Sequence, residues 1–419
     1  MLPSHIRQRV INGYQHIMAR PFVRVWVVLV IVHFIVQIAL QGVTLKDNKQ
    51  AKNTTSLCLS LVQTPVGLSL LEDDNLSMCN GIPGYNNVTC ILISSAREPS
   101  PLPSLNDTDA KALMGFDLDL DDIHTIILSG SEHFVTSRCV LSLQWIYDVF
   151  RDNVAEDVAT ICFQFWLLIV SLLAVLQDSI PHLAVCIASH VLDVGWAGFR
   201  IKSTITLRQN YYKLVVDGAC GGKDLLGNWW DQRLAHAAPL FGTNVITLIL
   251  LGALSVILFR RYAKINFSRI GVSPPITRMY KIALAFSAFL QLAAFFTIIA
   301  AGMWIDRISC GAITSLVGNI RAYQATFFVL AAIIAPWVIS GWWAVFREVK
   351  WAFVLFAVLH AFLLPLWPTM FASTVYRYIF RTWSFFACVS ITSYLFVLAT
   401  TIMAVICRLH FGRGLGHFW

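Results

Sequence analysis

Apolar residues along this chain gather into eight runs, at residues 25–43, 158–176, 180–199, 239–259, 282–304, 323–345, 351–372 and 383–406. Each has about the 18 to 25 residues that a helix needs to cross a hydrocarbon core. The pattern predicts an all-α polytopic membrane protein of about eight transmembrane helices. Residues 44–157 interrupt it with a long polar stretch, so a small extracytoplasmic domain is expected after the first span. Toward its end Phe134, Leu141, Ile146, Val149, Phe150 and Val154 recur at helical spacing. That spacing predicts an amphipathic helix over 131–158 leading into the second span. Pro336, Pro365 and Pro368, with Trp337, Trp342, Trp343 and Trp367 beside them, predict breaks in the sixth and seventh spans.

Composition agrees with the pattern. The chain is 57% hydrophobic and only 13% charged over 419 residues, against about 25% charged in soluble domains. Charge is unevenly placed: residues 44–157 hold 16 of the 23 acidic residues and 7 Lys or Arg, a net −9, while the remainder carries +17. The basic excess therefore lies beside the spans, where it orients the chain and meets anionic lipid. It does not indicate a nucleic-acid partner.

Residues 1–24 form a basic segment with Arg7, Arg9, Arg20 and Arg24, and no acidic residue occurs before Asp47. This start, followed by the run 25–43 without a small-x-small cleavage pattern, reads as a signal anchor with its N-terminus in the cytosol. Residues 44–157 then face the lumen or cell exterior. Four N-x-[ST] sequons, at Asn53, Asn75, Asn87 and Asn106, fall inside that segment together with Cys58, Cys79, Cys90 and Cys139. Clustered sequons and an even number of thiols suit a glycosylated, disulfide-stapled domain of the plasma membrane or another secretory-pathway membrane. Residues 158–406 are expected as a seven-helix bundle with a lumenal loop at 200–238, and residues 407–419 as a cytosolic tail.

The run 180–199 is the least apolar, since Pro181, His182, His190 and Asp193 lie in it, and one Asp at a helix centre costs about 2.5–3.5 kcal/mol on insertion. Asp178 or Ser179 before Pro181 is a helix-start signal that favours crossing as a tight hairpin with the second span. The stretch 260–281 holds six basic residues and no acid, which suits the cytosolic face. A fifth sequon, at Asn266, is then expected to stay bare. In this arrangement Cys220 and Cys310 join the oxidising side, and a bridge between them would tie two lumenal loops.

Candidate chemistry is concentrated in two places. His182, Cys186, His190 and Asp193 recur at i, i+4, i+8 and i+11, along one face of the third helix. With His360 they form a candidate zinc set, weighed against a polar helix face satisfied by its neighbours. One helix can supply at most two convergent ligands. Within 200–238, Tyr211, Tyr212, Trp229, Trp230 and Arg233 form a candidate ligand- or partner-binding lid, weighed against an interfacial aromatic cap. The acidic stretch from Asp117 to Asp122 lacks the Gly and Glu of an EF-hand, and Gly218 to Asp224 lacks the GxxxxGK[ST] phosphate-loop pattern.

From Trp196-Ala-Gly-Phe-Arg200 through Asp217-Gly-Ala-Cys-Gly-Gly-Lys-Asp-Leu-Leu-Gly-Asn-Trp-Trp230, joined to Met303-Trp-Ile-Asp306 and the tail, the chain resembles fungal orphan multi-pass membrane proteins of basidiomycetes. The resemblance covers residues 145–419. It implies no assigned reaction, and it implies a link to plant infection through smut-fungus proteins of this appearance.

The residues then suggest a non-enzymatic, receptor-like membrane protein without a cofactor. It would bind a ligand or protein partner through the extracytoplasmic domain and the Trp-rich loop, with loop 260–281 as a cytosolic partner site. The alternatives are an intramembrane zinc hydrolase using His182, His190 and Asp193, and a channel or carrier.

Overall fold

The computed structural model describes residues 20–61, 67–83, 88–96, 123–128, 131–269, 274–309, 313–314 and 320–411. In chain order these form α1 (Pro21–Leu61), β1 (Leu68–Glu72), β2 (Asn75–Cys79), β3 (Cys90–Ser95), β4 (Ile123–Leu128), β5 (Ser131–Thr136), α2 (Ser137–Leu176) and α3 (Ile180–Asn210). A π-helical segment, Tyr211–Ala219, extends α3. Then come α4 (Trp229–Arg269), α5 (Pro274–Ser309), α6 (Ile320–Phe346), α7 (Lys350–Met370), α8 (Thr374–Thr382) and α9 (Ser384–Leu409). Among the described residues eight helices, all but the short α8, are long and apolar enough to cross a membrane. The chain is a multi-pass membrane protein.

The helices overrun the apolar runs that announce them. With 41 residues, α1 is about 61 Å long at 1.5 Å per residue, twice a hydrocarbon core. It does not stop at residue 43. Beyond that point its buried face is small and polar, with Thr44, Asn48, Ala51, Thr55 and Cys58 at alternating steps of three and four, so the helical period persists where hydropathy fades. The amphipathic helix expected over 131–158 begins only at Ser137, after strand β5. Thr136 caps it by accepting from Cys139 N at 3.3 Å, and it runs without interruption into the second span.

Three further expectations are corrected. The connection 200–238 is mostly helix: α3 and its π-helical end reach Ala219, α4 starts at Trp229, and only a turn at 220–228 remains. Its Gly221, Gly222 and Gly227 have positive φ, which only glycine adopts freely. The connection 260–281 shrinks likewise, because α4 reaches Arg269 and α5 begins at Pro274. The prolines do not break their spans, since Pro336 lies inside α6 and Pro365 and Pro368 inside α7.

The second and third spans form the expected hairpin. Ser179 accepts from His182 N at 3.4 Å, with Pro181 in the first turn. Rung by rung the two helices run antiparallel: Ser171 Oγ meets Cys186 Sγ at 2.9 Å, Gln164 Nε2 donates to Asp193 at 2.8 Å, and Arg200 pairs with Asp157 at 2.5 Å. The Cys139–Cys220 disulfide closes the same end. Cys220 is therefore not bridged to Cys310, which lies outside the described residues, and Cys58 is a free, buried thiol.

Beyond that end sit two small antiparallel sheets, β1-β2-β3 and β4-β5. A two-residue turn joins β1 and β2 at Asp73 and Asp74, both with positive φ, the geometry that suits hairpin twist. The Cys79–Cys90 disulfide pins β2 to β3. Gly218 lets the π-helical segment close on β3, since a Cβ there would run into Ser94 Oγ. This side of the molecule is the sheet end, and the other, where Arg20 pairs with Asp178 at 2.8 Å, is the opposite end.

Candidate functional site

The aromatic residues of the expected lid are core, not surface. Tyr211, Trp229, Trp230 and Arg233 are buried, and Tyr212 is only half-buried. Phe150 of α2 meets Trp229 at 4.5 Å between ring centroids, Trp229 meets Trp230 at 4.8 Å, and Trp230 meets Tyr211 at 5.6 Å. Their polar tips are also occupied. Asp224 accepts from Tyr211 at 2.9 Å and Tyr212 at 3.0 Å and ties down the backbone of Leu226 at 3.0 Å, while Trp229 Nε1 donates to Asp47 O at 3.1 Å. This cluster welds the turn at 220–228 to the ends of α1 and α2. Its half-buried edge is Tyr212, which lines a shallow pocket with Arg208, Lys213 and Leu234.

The histidine stripe of α3 is buried, and its members turn to separate partners. His182 Nδ1 lies 2.8 Å from Ser179 Oγ, Cys186 faces Ser171, and Asp193 faces Gln164. The His190 ring is 5.1 Å from that of His33 on α1, and His33 Nε2 lies 2.9 Å from Asn244 Oδ1 on α4. His360 is elsewhere, on α7, against Trp337 and Phe356, 2.6 Å from Thr401 Oγ1. Among the described residues no three His, Cys, Asp or Glu side chains gather in a metal-holding group. The stripe is real as a face but does not converge on a point.

Of the sequons, Asn53 is exposed on α1 and Asn75 opens β2. Asn87 and Asn106 lie outside the described residues, as do the acidic stretch from Asp117 to Asp122 and the segments 1–19 and 412–419. Asn266 lies within α4.

The main polar site is built on acidic residues of α2 that hydropathy does not single out. Asp148, Asp152 and Glu156 stand at successive steps of four on α2, a spacing that marks one helix face. They were counted with the acidic domain, whose charges are ordinarily solvated. The structure turns them inward. Arg307 of α5 pairs with Asp148 at 3.4 Å and Asp152 at 3.0 Å, and Arg151 donates to Asp306 O at 2.8 Å and Arg307 O at 3.1 Å. One turn along, Asp157 accepts from Arg200 and, at 2.5 Å, from Asn48 Nδ2. Arg233 donates to Asn48 Oδ1 and, at 3.1 Å, to Thr204, and Glu156 accepts from Trp383 Nε1 at 2.9 Å. Buried charges persist only when paired in this way.

Above this network opens a cavity of about 570 Å³, walled by β1, α2, Arg307 and the short amphipathic helix α8. Ser373 caps α8, accepting from Tyr376 N at 3.4 Å. Val375, Tyr376, Tyr378 and Ile379 of α8 are buried, and Arg377 and Arg381 are exposed along the cavity. Burial, with the Asp148 carboxylate nearby, pushes the Tyr378 phenol above its ordinary range. It therefore stays a neutral donor, and it holds β1 through Ser69 O at 3.0 Å. Arg377 reaches only its own Thr374, at 3.1 Å, and Arg381 has no hydrogen-bond or ion-pair partner among the described residues. Leu70, Leu71, Trp145, Val149 and Leu207 supply apolar wall. A second cavity of about 160 Å³ adjoins the first at Val149, Asp152, Leu207 and Thr382, and reaches Glu156, Arg200 and Arg233.

No protein-family model, curated protein or solved structure matches this chain.

Proposed function

We propose that this chain is a receptor-like membrane protein that binds a small organic anion with an apolar portion in the cavity at its sheet end, and that the sheet end faces the lumen or cell exterior. The observation that carries the binding role is the pair of exposed guanidiniums, Arg377 and Arg381, beside an apolar strip of Leu70, Leu71, Trp145, Val149 and Leu207 in a cavity that Glu72, Asp148 and Asp152 also line. Arginine suits carboxylate and phosphate because its donors form a planar fork. The ligand site thereby moves from the Tyr and Trp residues to α8. The hydrolase reading has no comparable support, because the candidate ligands face different helices.

Support for the orientation comes from both disulfides lying at the sheet end, as expected on the oxidising side. The stretch 260–281, where α4 ends and α5 begins, holds six basic residues and no acid at the opposite end, which suits the cytosolic face. In secretory-pathway expression, mass mapping after glycosidase treatment is expected to find glycan at Asn53 or Asn75 and none at Asn266. The reverse pattern would invert the orientation.

The binding role is tested by thermal shift of purified protein with octanoate, acetate and inorganic phosphate. Octanoate is expected to stabilise the wild type more than acetate does, and the Arg377→Ala/Arg381→Ala variant is expected to lose that gain. An equal shift in both proteins would show that α8 does not hold the anion.

A further inference from the structure

Beneath the cavity a column of polar side chains runs through α1, α2, α3 and α4. At the sheet end it starts from Asp157, paired with Arg200. At the opposite end it finishes at Asp178, paired with Arg20. The two aspartates are 21 residues apart along α2 and its end, about 31 Å at helical rise, which matches the roughly 30 Å of a hydrocarbon core. Between them lie Thr44, Gln41, Gln37 and His33 of α1, Gln164 and Ser171 of α2, Asp193, His190, Cys186 and His182 of α3, and Asn244 and Tyr262 of α4, all buried.

The column is not saturated by its own hydrogen bonds. Gln37 donates to Thr243 at 2.8 Å, yet its Oε1 has no hydrogen-bond partner. The same holds for Gln41 Oε1, His182 Nε2, His190 Nε2, Asn244 Nδ2 and Tyr262 Oη. An unpaired polar atom in the bilayer core costs several kcal/mol, so such atoms occur only where protein or a water-filled passage serves them. Six of them on three facing helices, α1, α3 and α4, in one file that spans the core, are polar atoms that water can serve as partner. Ionisable residues inside a membrane bundle are the usual components of proton relays.

We propose that this column conducts protons between the cavity at the sheet end and the opposite face. A proton entering as hydronium from the smaller cavity, which Glu156 and Arg200 line, passes the buried Asp157, the water file, His190 and His33, each neutral imidazole taking it on one ring nitrogen and releasing it from the other. Every hop breaks one O–H or N–H bond and makes another, no electrons change hands, and the proton leaves at the Asp178 mouth. Asp193, held by Gln164, is the carboxylate of the mid-column and stabilises the positive charge as it crosses. Metal cations are a poorer fit, because they need several oxygen ligands at once and the file is interrupted by imidazole and thiol. This path is independent of the anion-binding role, since it needs none of the α8 residues.

The test uses the full chain in phosphatidylcholine–phosphatidylglycerol vesicles with a trapped pH dye and a valinomycin-set potassium potential. Wild type is expected to change internal pH at least roughly tenfold faster than protein-free vesicles, in the direction set by the potential, and His190→Phe and Asp193→Asn to lose most of that gain. Gln41→Leu is the second variant should those two not fold, judged by size-exclusion profile and melting temperature. His360→Phe, outside the column, and Arg377→Ala/Arg381→Ala are expected to keep the flux, so failure of the binding role and failure of the path are read separately. Wild-type vesicles no faster than empty ones, flux unchanged by every folded column variant, or a sodium flux equal to the proton flux would each overturn the proposal.

Discussion

The two halves of the bundle solve the problem of a membrane interior in opposite ways. Helices α1 to α4 bury His33, Gln37, Gln41, Asn48, Asp157, Gln164, His190, Asp193, Arg200, Arg233 and Asn244. Helices α5, α6, α7 and α9 pack around Phe286, Leu290, Trp337, Phe356 and Val397. Apart from Arg307 at the sheet end, the buried polar residues of these four helices, among the described residues, are Ser287, Thr297, Ser340, His360, Ser390, Ser393 and Thr400. Several of these hydroxyls bond back to their own helix, as Ser340 does to Trp337 O at 3.1 Å and Thr400 to Phe396 O at 2.8 Å. Thr297 and Ser393 pair across α5 and α9 at 2.8 Å. One half is thus held by directional polar contacts between helices and the other by shape. Asp157, Arg200 and Arg233 lie at the sheet end as Arg307 does, but between the two ends the first half buries Asp193, His33, His182 and His190 against His360 alone in the second, among the described residues, and ionisable groups are costly there.

The largest expected effect separates the halves through their charges. Arg200→Leu leaves Asp157 buried without its cation and is expected to destabilise the detergent-solubilised protein by about 3–5 kcal/mol. The double variant Asp157→Leu/Arg200→Leu is expected to recover most of that loss, because the penalty belongs to the unpaired charge. Equilibrium unfolding of the three proteins checks this. If the double variant were as unstable as the single, the pair would be a structural requirement of the fold and not a replaceable contact.

How far the sequence announced this division depends on distance along the chain. The stripe of His182, Cys186, His190 and Asp193 was legible from its spacing alone, as was the Ser179 and Pro181 start of α3, because both are local helical signals. Its partners were not legible. His33 and Asn244 are 211 residues apart and Asn48 and Asp157 are 109 apart, and no periodicity within one helix names a residue on another. The ends of the spans were misjudged for a different reason. Hydropathy falls after residue 43 and after 199, but the buried face there is carried by Asn48, Thr55 and Thr204, which pack or bond without being apolar. The Trp229 and Trp230 pair resembled an exposed lid because indoles suit both interfaces and cores, and only Phe150, brought in by α2, decides between them. Arg377 and Arg381 drew no notice because two exposed arginines on a nine-residue helix look like ordinary surface until the cavity beside them is seen.

A pair of single substitutions sharpens the contrast at smaller energies. In the shape-held half, Gly341 lets α6 lie against α7, and a Cβ there would stand 2.6 Å from Phe356 Cδ2 and 3.2 Å from Leu290 Cδ2. Phe356 is fixed between Phe286 and Trp337, so it has little room to give, and Gly341→Ala is expected to cost about 1–3 kcal/mol. In the polar half, Gln41→Leu removes a buried carbonyl oxygen that no protein donor satisfies and replaces it with an apolar group of similar size. An acceptor partnered by water alone contributes little net stability, so the change is expected to stay within about 1 kcal/mol in either direction. A polar-to-apolar exchange in the core that is nearly neutral, next to a single added methyl that is not, is the signature of an interior whose polar atoms are not there for stability. If Gln41→Leu instead destabilised the protein as much as Gly341→Ala does, Gln41 would be an essential interhelical contact, and the difference between the two halves would be one of packing style alone.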